Sequence, residues 1–334
     1  MTNALAHRAY RVTAPKAPAE LVELSESDLA DGDLLIRVTH SSLNYKDGLA
    51  LLGKPGVVRT YPMTCGIDLA GTVVSTSGDS SFAEGDDVVL TGAGLSETKP
   101  GGFAGYQRVD SSHVLPAPTR LGTWGAMAVG TAGLTAMLCI QRMQSAGVGT
   151  ESGPVLVTGA TGGVGSFAVF ILSRLGYEVH AATGKASEAE YLRTLGATTI
   201  VERESLTGEP KALGKQRWAG CIDSVGGVTL ANVLAQMDYS GVVAACGLAG
   251  GSSLPTTVMP FILRNVSLLG VDSVNASLDL RRAAWTSLDE MFTPDDLREI
   301  AVEVTHDELP AQAERILSGA VRGRVVVDTA GLAG

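Results

Sequence analysis

From the N-terminus to about residue 125, apolar and polar positions alternate in short runs broken by Gly, Pro, Asp and Ser. Asp33–His40 (DLLIRVTH), Gly71–Thr76 (GTVVST), Asp86–Leu90 (DDVVL) and Gly105–Asp110 (GYQRVD) carry the signature of half-buried strands, and their close spacing predicts an all-β module. Between about 126 and 271 the pattern changes. Pro154–Gly159 is a short apolar strand run, after which Val164, Phe167, Ala168, Ile171, Leu172 and Leu175 recur at helical spacing. Tyr177–Thr183 is the next strand, and Ser187 with Glu190 spells an S-x-x-E capping box that opens a helix through Leu195. Thr198–Glu202, Gly220–Val225, Gly241–Cys246 and Ser267–Val271 read as further strands, with a second helical stripe at Leu230, Val233, Leu234 and Met237. Strand–helix alternation predicts a parallel, doubly wound α/β sheet. In the tail, Thr293-Pro294-Asp295-Asp296 is a helix start with a cap, proline in the first turn and acids facing the helix dipole; Gly319 closes a later helix, and Arg324–Asp328 is a last strand.

Composition narrows the function classes. A chain of 334 residues has room for two domains, and 45% hydrophobic against 18% charged residues is globular material. The balance of 25 Lys and Arg against 35 Asp and Glu gives a net charge of −10, which argues against nucleic acid or anionic lipid as a partner. The start of the chain (MTNALAHRAYRV) lacks the basic-then-apolar pattern of a leader, and no uninterrupted apolar run is long enough to span a bilayer, so a cytoplasmic location is expected. Cys65, Cys139, Cys221 and Cys246 show no C-x-x-C or zinc-ribbon spacing and read as buried thiols in a reducing compartment. The five histidines are scattered, and no metal ligand set is expected.

The chemistry is concentrated in Ala160-Thr161-Gly162-Gly163-Val164-Gly165, which sits between a predicted strand and a predicted amphipathic helix and reads as A-x-G-x-x-G, a variant dinucleotide fingerprint. Gly162 lets the backbone approach a pyrophosphate at the helix N-terminus, and Gly165 lets helix and strand pack closely. An NAD site expects a carboxylate about 20 residues on, at the end of the second strand. Here that place reads Ala182-Thr183-Gly184-Lys185, with no acid to repel a 2′-phosphate. Thr183 supplies a hydroxyl, Lys185 a charge and Arg203, after the third strand, a second charge, so the expected cofactor is NADP(H). Cys246, Gly247 and Leu248 follow the fifth strand, where loops face the ligand.

Several stretches are more specific: Ser41–Lys54 (SSLNYKDGLALLGK), Tyr61–Val73, Gly130–Ile140, Val157–Gly165, Val233–Gly251 and Leu254–Val274 (LPTTVMPFILRNVSLLGVDSV). With them the chain resembles the zinc-free quinone-oxidoreductase branch of the medium-chain dehydrogenases/reductases, and within it the acrylyl-CoA reductase (YhdH/AcuI-type) group. The resemblance implies a GroES-like catalytic domain at 1–125, completed by 272–334, a Rossmann NADP-binding domain at 126–271, and a homodimer. It implies NADPH-dependent reduction of the C=C bond of acryloyl-CoA to propionyl-CoA, a reaction on a CH–CH group. The places where zinc-dependent relatives carry Cys and His hold Asn44 and Ile67, which do not suit zinc. An acceptor whose double bond is already activated is therefore expected, with hydride adding at the β-carbon and hydrogen bonds holding the enolate oxygen. Asn44, Tyr45 and Asp47 are the expected catalytic residues: Asn44 as donor to the oxygen, Tyr45 as cofactor contact or proton relay, Asp47 as holder of the loop. The resemblance adds Arg264, Asn265 and Arg324 to the cofactor contacts. A quinone or α,β-unsaturated ketone reductase is the alternative, and an NADPH-binding protein without turnover a third.

Overall fold

The structure is a computed structural model that describes residues 5–78 and 80–334; residues 1–4, part of the stretch read for a leader, lie outside the described residues. The chain divides into two compact units, one running to Thr131 and resuming at Val274, the other spanning Ala132–Ser273.

The first unit begins with β1 (His7–Val12), β2 (Glu20–Leu24), β3 (Leu34–Leu43), α1 (Tyr45–Leu51), β4 (Met63–Thr64), β5 (Asp68–Thr76), β6 (Asp87–Thr91), β7 (Tyr106–Val109) and β8 (Leu115–Pro116). Helix α2 (Gly122–Ser145) carries the chain into the second unit, which continues with β9 (Val155–Val157), α3 (Gly163–Arg174), β10 (Val179–Thr183), α4 (Ala189–Thr194), β11 (Thr199–Glu202), β12 (Trp218–Asp223), α5 (Gly227–Leu234), β13 (Met237–Ala245), α6 (Met259–Arg264) and β14 (Ser267–Gly270). The first unit is completed by α7 (Leu278–Met291), α8 (Pro294–Ile300), β15 (Ala301–Thr305), α9 (Leu309–Leu317) and β16 (Arg324–Asp328).

In the first unit, a sheet in the order β15-β16-β3-β5-β6-β8, with β7 also on β3, stands beside a smaller one in the order β2-β1-β4. Strand β3 is nearly continuously buried because it pairs with β16, β5 and β7. Leu34, Ile36, Val38, Leu69, Val73, Val88 and Leu90 form one core. Leu43, Leu51, Phe103, Leu309, Ala313, Val325 and Val327 form another. The unit is not all-β as expected: a helix, α1, interrupts it, because Asn44 and Asp47 build a local cap in place of a turn.

The second unit holds six parallel strands in the order β11-β10-β9-β12-β13-β14, so the first strand is flanked by the second and the fourth. Trp218, Cys221, Val233, Leu234, Met237 and Val243 fill one of its cores. Two local expectations fail. The Ser187–Glu190 capping box does not form, since Ser187 lies inside a 3₁₀ turn, Ala186–Glu188, and α4 starts only at Ala189 with no side-chain cap. Met237 opens β13 and does not extend α5. Thr293, by contrast, does cap α8 through its box with Asp296.

Among the described residues, α2 is the one helix long and apolar enough to cross a membrane, and 83% of its apolar window is buried inside the protein. It is broken at Gly130, whose φ of 49° and ψ of −160° form a combination essentially confined to glycine. A Cβ there would lie 2.5–2.8 Å from Arg324 Nη2, Asp68 Oδ2 and Ser42 Oγ. Gly130→Ala is therefore expected to destabilise the protein by about 2 kcal/mol or more, from backbone strain and the collision together. Urea denaturation checks this; an unchanged midpoint would contradict it.

Candidate active site

The end of β3 brings Ser42, Leu43 and Asn44 to the start of α1. There the backbone N–H of Asn44 donates to Asp47 Oδ2 (2.8 Å), and Ile67 N–H donates to Asp47 Oδ1 (2.8 Å). At the start of β5, Asp68 Oδ2 accepts from Ser42 Oγ (2.6 Å), Asn44 Nδ2 (2.8 Å) and Thr131 N–H (2.9 Å), while Oδ1 accepts from the Thr131 hydroxyl. At the start of β16, Arg324 donates from Nη1 to Asn44 Oδ1 (2.9 Å) and Leu43 O (3.2 Å), from Nη2 to Ser42 Oγ (2.7 Å), and from Nε to Ala128 O (3.2 Å). Its Nη2 lies 3.8 Å from Asp68 Oδ2.

This cluster is buried. Asp47 and Asp68 are fully buried, Arg324 is 3% exposed and Asn44 8%. Burial, reinforced by the charge of Asp68, pushes the Asp47 carboxyl up to about 7, against the pull of its amide donors. Burial also lowers Arg324 from its ordinary value, opposed by the two carboxylates. One guanidinium is thus enclosed with two carboxyl groups, of which Asp47 is raised from its ordinary value by burial.

The arrangement corrects two expectations. Asn44 does not offer a donor to a substrate oxygen: Nδ2 is committed to Asp47 (3.1 Å) and Asp68, and Oδ1 to Arg324. Arg324 is not a cofactor contact: its guanidinium is enclosed and each of its three nitrogens donates within its own unit. Tyr45 is different. It stands at the first position of α1, is 45% exposed, and its hydroxyl makes no hydrogen bond among the described residues. Sequence reasoning singled out neither Ser42 nor Thr131, and Asp68 only as a mismatched zinc position; an aspartate inside the apolar run Gly66–Val73 was the available signal. The residues do not fit zinc. The donor set lacks Cys and His, its oxygens are already saturated, and the buried cation of Arg324 would repel a divalent ion.

In the second unit, α3 begins at Gly163 with Gly162 as its N-cap and no side chain capping it, which leaves its first-turn N–H groups for an anion. A Cβ on Gly165 would lie 2.6 Å from Ala160 Cα, so glycine is required for the close approach of helix and loop. A Cβ on Gly162 would meet nothing nearer than Gly159 O at 3.4 Å, so the protein itself does not demand glycine there. Ala160 is fully buried and Thr161 nearly so, while Gly163 and Val164 are half-buried at the lip of the turn. Thr183 ends β10, and its Oγ1 accepts from Lys185 N–H (3.0 Å). Arg203 packs its guanidinium over Gly184, where a Cβ would be 2.7 Å from Cζ. Thr183, Gly184, Lys185 and Arg203 are thus brought together at the carboxyl ends of β10 and β11.

Cys246 and Gly247 lie at the same edge of the sheet, past β13. Cys246 N–H donates to Asp223 O (2.9 Å), and Leu248 is 65% exposed. Asp223, which the sequence reading overlooked, joins two of the loops at this edge. It accepts from Thr158 Oγ1 (2.6 Å) at the start of the fingerprint and from Gly226 N–H (2.8 Å). Burial raises its pKa, and these hydrogen bonds oppose the shift. Arg264 and Asn265 require a correction. Arg264 donates to Ala235 O, Met237 O and Gly214 O, and Asn265 to Ser240 Oγ. Both precede β14 and face the beginning of β13, so they lie at the amino ends of parallel strands, away from the ligand edge.

A six-stranded parallel sheet with a glycine-lined, uncapped helix start and a cationic second-strand loop defines a nucleotide-dependent dehydrogenase domain, here paired with a β-rich catalytic-type unit. Residues 30–119 match the family "Alcohol dehydrogenase GroES-like domain" and residues 163–290 match "Zinc-binding dehydrogenase". The chain is 48% identical over 94% of its length, and 95% of the relative's, to the acrylyl-CoA reductase AcuI of Ruegeria pomeroyi. It is 47% identical over 91% of its length, and 92% of the relative's, to the putative quinone oxidoreductase YhfP of Bacillus subtilis. The crystal structure of Escherichia coli YhdH with bound NADPH superposes with a TM-score of 0.93 at 47% identity, covering 97% of this chain and 99% of that one. The chain belongs to the YhdH/AcuI group of the medium-chain dehydrogenase/reductase family.

Removing the buried cation tests the cluster. Arg324→Met removes the cation enclosed with the two carboxyl groups and is expected to cost about 3–5 kcal/mol. Adding Asp68→Asn is expected to restore part of that loss, with a coupling of about 1 kcal/mol or more in a denaturation double-mutant cycle. Strict additivity would contradict the pairing.

Proposed function

We propose that this protein is a metal-independent, NADPH-dependent reductase of the C=C bond of acryloyl-CoA, giving propionyl-CoA. The observation that carries the reading is the buried Arg324 cluster around Asn44, the residue that by sequence resemblance takes the place of a zinc-ligating Cys. With a fixed organic cation there and no ligand set for a Lewis acid, the chemistry suits an acceptor already polarised by a thioester carbonyl, as the kinship with AcuI also suggests.

NADPH, when bound, supplies hydride to the β-carbon of the acceptor. The chain's own residues do the rest. The first-turn N–H groups of α3, opened by Gly162 and Gly163, bind the pyrophosphate; Thr161 and Val164 shape the turn, and Ala160 and Gly165 hold it against the strand. Lys185 and Arg203, with Thr183 and Gly184, hold the 2′-phosphate, which bidentate and point-charge cations favour and a carboxylate would reject. Cys246, Gly247 and Leu248 line the same edge. Tyr45 takes the part first expected of Asn44: its free phenol is the donor toward the developing enolate or the α-carbon, while Asn44 and Asp47 fix the turn that presents it. The domain limits follow the observed units, with the β-rich unit catalytic and Ala132–Ser273 binding the cofactor. A homodimer through the open edge of β14 fits the exposed Val258, Ile262 and Leu263 beside it.

A second reading, reduction of quinones or α,β-unsaturated ketones, is favoured by the kinship with YhfP. Steady-state NADPH oxidation with acryloyl-CoA, benzoquinone and methyl vinyl ketone decides between them. We expect kcat/KM for acryloyl-CoA to exceed the others by about tenfold or more, one such factor being about 1.4 kcal/mol of transition-state preference; equal or reversed values would favour the second reading. For the cofactor, Arg203→Ala with Lys185→Ala is expected to shrink the NADPH-to-NADH ratio of kcat/KM about tenfold or more. A ratio that stays at the wild-type value would remove these residues from the 2′-phosphate site.

A further inference from the structure

Immediately after Tyr45, the chain assembles a charge cluster that the reaction as described does not use. Lys46 Nζ lies 2.6 Å from Glu97 Oε1, and Arg59 Nη2 lies 3.6 Å from Glu97 Oε2. One carboxylate therefore gathers two cations, and the group carries a net positive charge. The anion is the least exposed of the three: the side chain of Glu97 is 14% exposed, that of Lys46 42% and that of Arg59 70%.

The loop that presents Glu97 is held in strained backbone. Gly92, Ala93, Gly94 and Ser96 all have positive φ, at 65°, 51°, 88° and 63°. For the two residues with side chains this conformation is costly and persists only where surrounding bonds fix it. Those bonds are present: Gly92 N–H donates to Ile67 O, Leu95 N–H to Gly92 O, and Thr98 and Lys99 N–H to Gly94 O. Arg59 N–H donates to Glu97 O (2.9 Å), tying the arginine's own segment to the loop. Exposed ion pairs contribute little to stability, so a strained loop holding two cations on one acid is poorly explained as a stabilising device. It is well suited to holding two cations preorganised for an anion.

The wider charge distribution agrees. Between residues 44 and 62 the charged residues are Lys46, Lys54, Arg59 and the buried Asp47, so every exposed charge there is positive, on a chain whose net charge is −10. We propose that Lys46 and Arg59, gathered on Glu97, bind a phosphate group of the CoA portion of the substrate. The proposal rests on the acryloyl-CoA reading and supplies what it lacks, a recognition element for the nucleotide end of the thioester. A guanidinium meets a phosphate with paired N–H groups, the ammonium adds a point charge, and Glu97 gives up part of its share of both when the phosphate arrives.

The experiment compares kcat/KM for acryloyl-CoA, acryloyl-3′-dephospho-CoA and acryloyl-pantetheine at fixed saturating NADPH, in wild type, Lys46→Ala/Arg59→Ala and Arg59→Lys. The ratio between two substrates does not depend on how much of a variant is folded. In wild type, acryloyl-CoA is expected to exceed acryloyl-pantetheine about tenfold or more, with the advantage shrinking as salt is raised. In the double variant the ratio is expected to approach one, and Arg59→Lys to recover part of it. Dephospho-CoA behaving like acryloyl-CoA assigns the diphosphate to the site, and behaving like pantetheine assigns the 3′-phosphate; both support the proposal. A double variant that keeps the wild-type ratio, or a wild type that turns over the CoA and pantetheine thioesters equally, overturns it. The failure of the acryloyl-CoA reading has a different signature, methyl vinyl ketone or benzoquinone outrunning every thioester in wild type.

Discussion

The β-rich unit is organised around a buried guanidinium. Arg324 is the cation enclosed with Asp47 and Asp68, and its bonds to Ser42, Leu43, Asn44 and Ala128 connect the end of β3, the start of α1 and the first half of α2. A buried ion pair of this kind adds little net stability over an apolar core, yet losing one partner is costly. Its value here is positional. It fixes Asn44 and Asp47 so that α1 begins at Tyr45 with its side chain exposed. Gly130 belongs to the same constraint, because only a residue without Cβ passes so close to Arg324, Asp68 and Ser42.

The nucleotide-binding unit solves a different problem with the same economy. Its ligand edge is assembled from loops that follow parallel strands, and Asp223 joins two of them by accepting from Thr158 and Gly226. The two glycines of the fingerprint have separable roles. Gly165 is required by the protein, since a Cβ would strike the backbone of Ala160; Gly162 is open on the protein side, which leaves its requirement to the proposed pyrophosphate. The cations at Lys185 and Arg203 sit on the loops after the second and third strands, where an adenosine 2′-phosphate is expected.

Much of this was legible in the sequence where the information is local. Strand runs, the helical stripe of α3, the fingerprint and the missing acid after β10 are patterns within a few residues, and resemblance supplied the two-domain frame. What was misread depends on contacts between distant segments. Asn44 looks like a free amide until Asp68 and Arg324, 24 and 280 residues away, consume its hydrogen-bonding capacity. Arg264, counted among the cofactor contacts by resemblance, lies at the amino ends of the strands once the sheet order is known. The Ser187–Glu190 pair has the spelling of a capping box, but a 3₁₀ turn shifts the helix start past it. Asp68, Ser42 and Thr131 carry no motif of their own and acquire meaning only together.

The central claim is that an organic cation, Arg324, holds the charge of this site and leaves no place for zinc. Metal content of the purified protein, measured by plasma emission together with turnover before and after exhaustive chelation, tests it most directly. The account predicts far less than one zinc per chain and unchanged turnover after chelation. One tightly held zinc per chain, with activity lost on its removal and regained on its return, would contradict it.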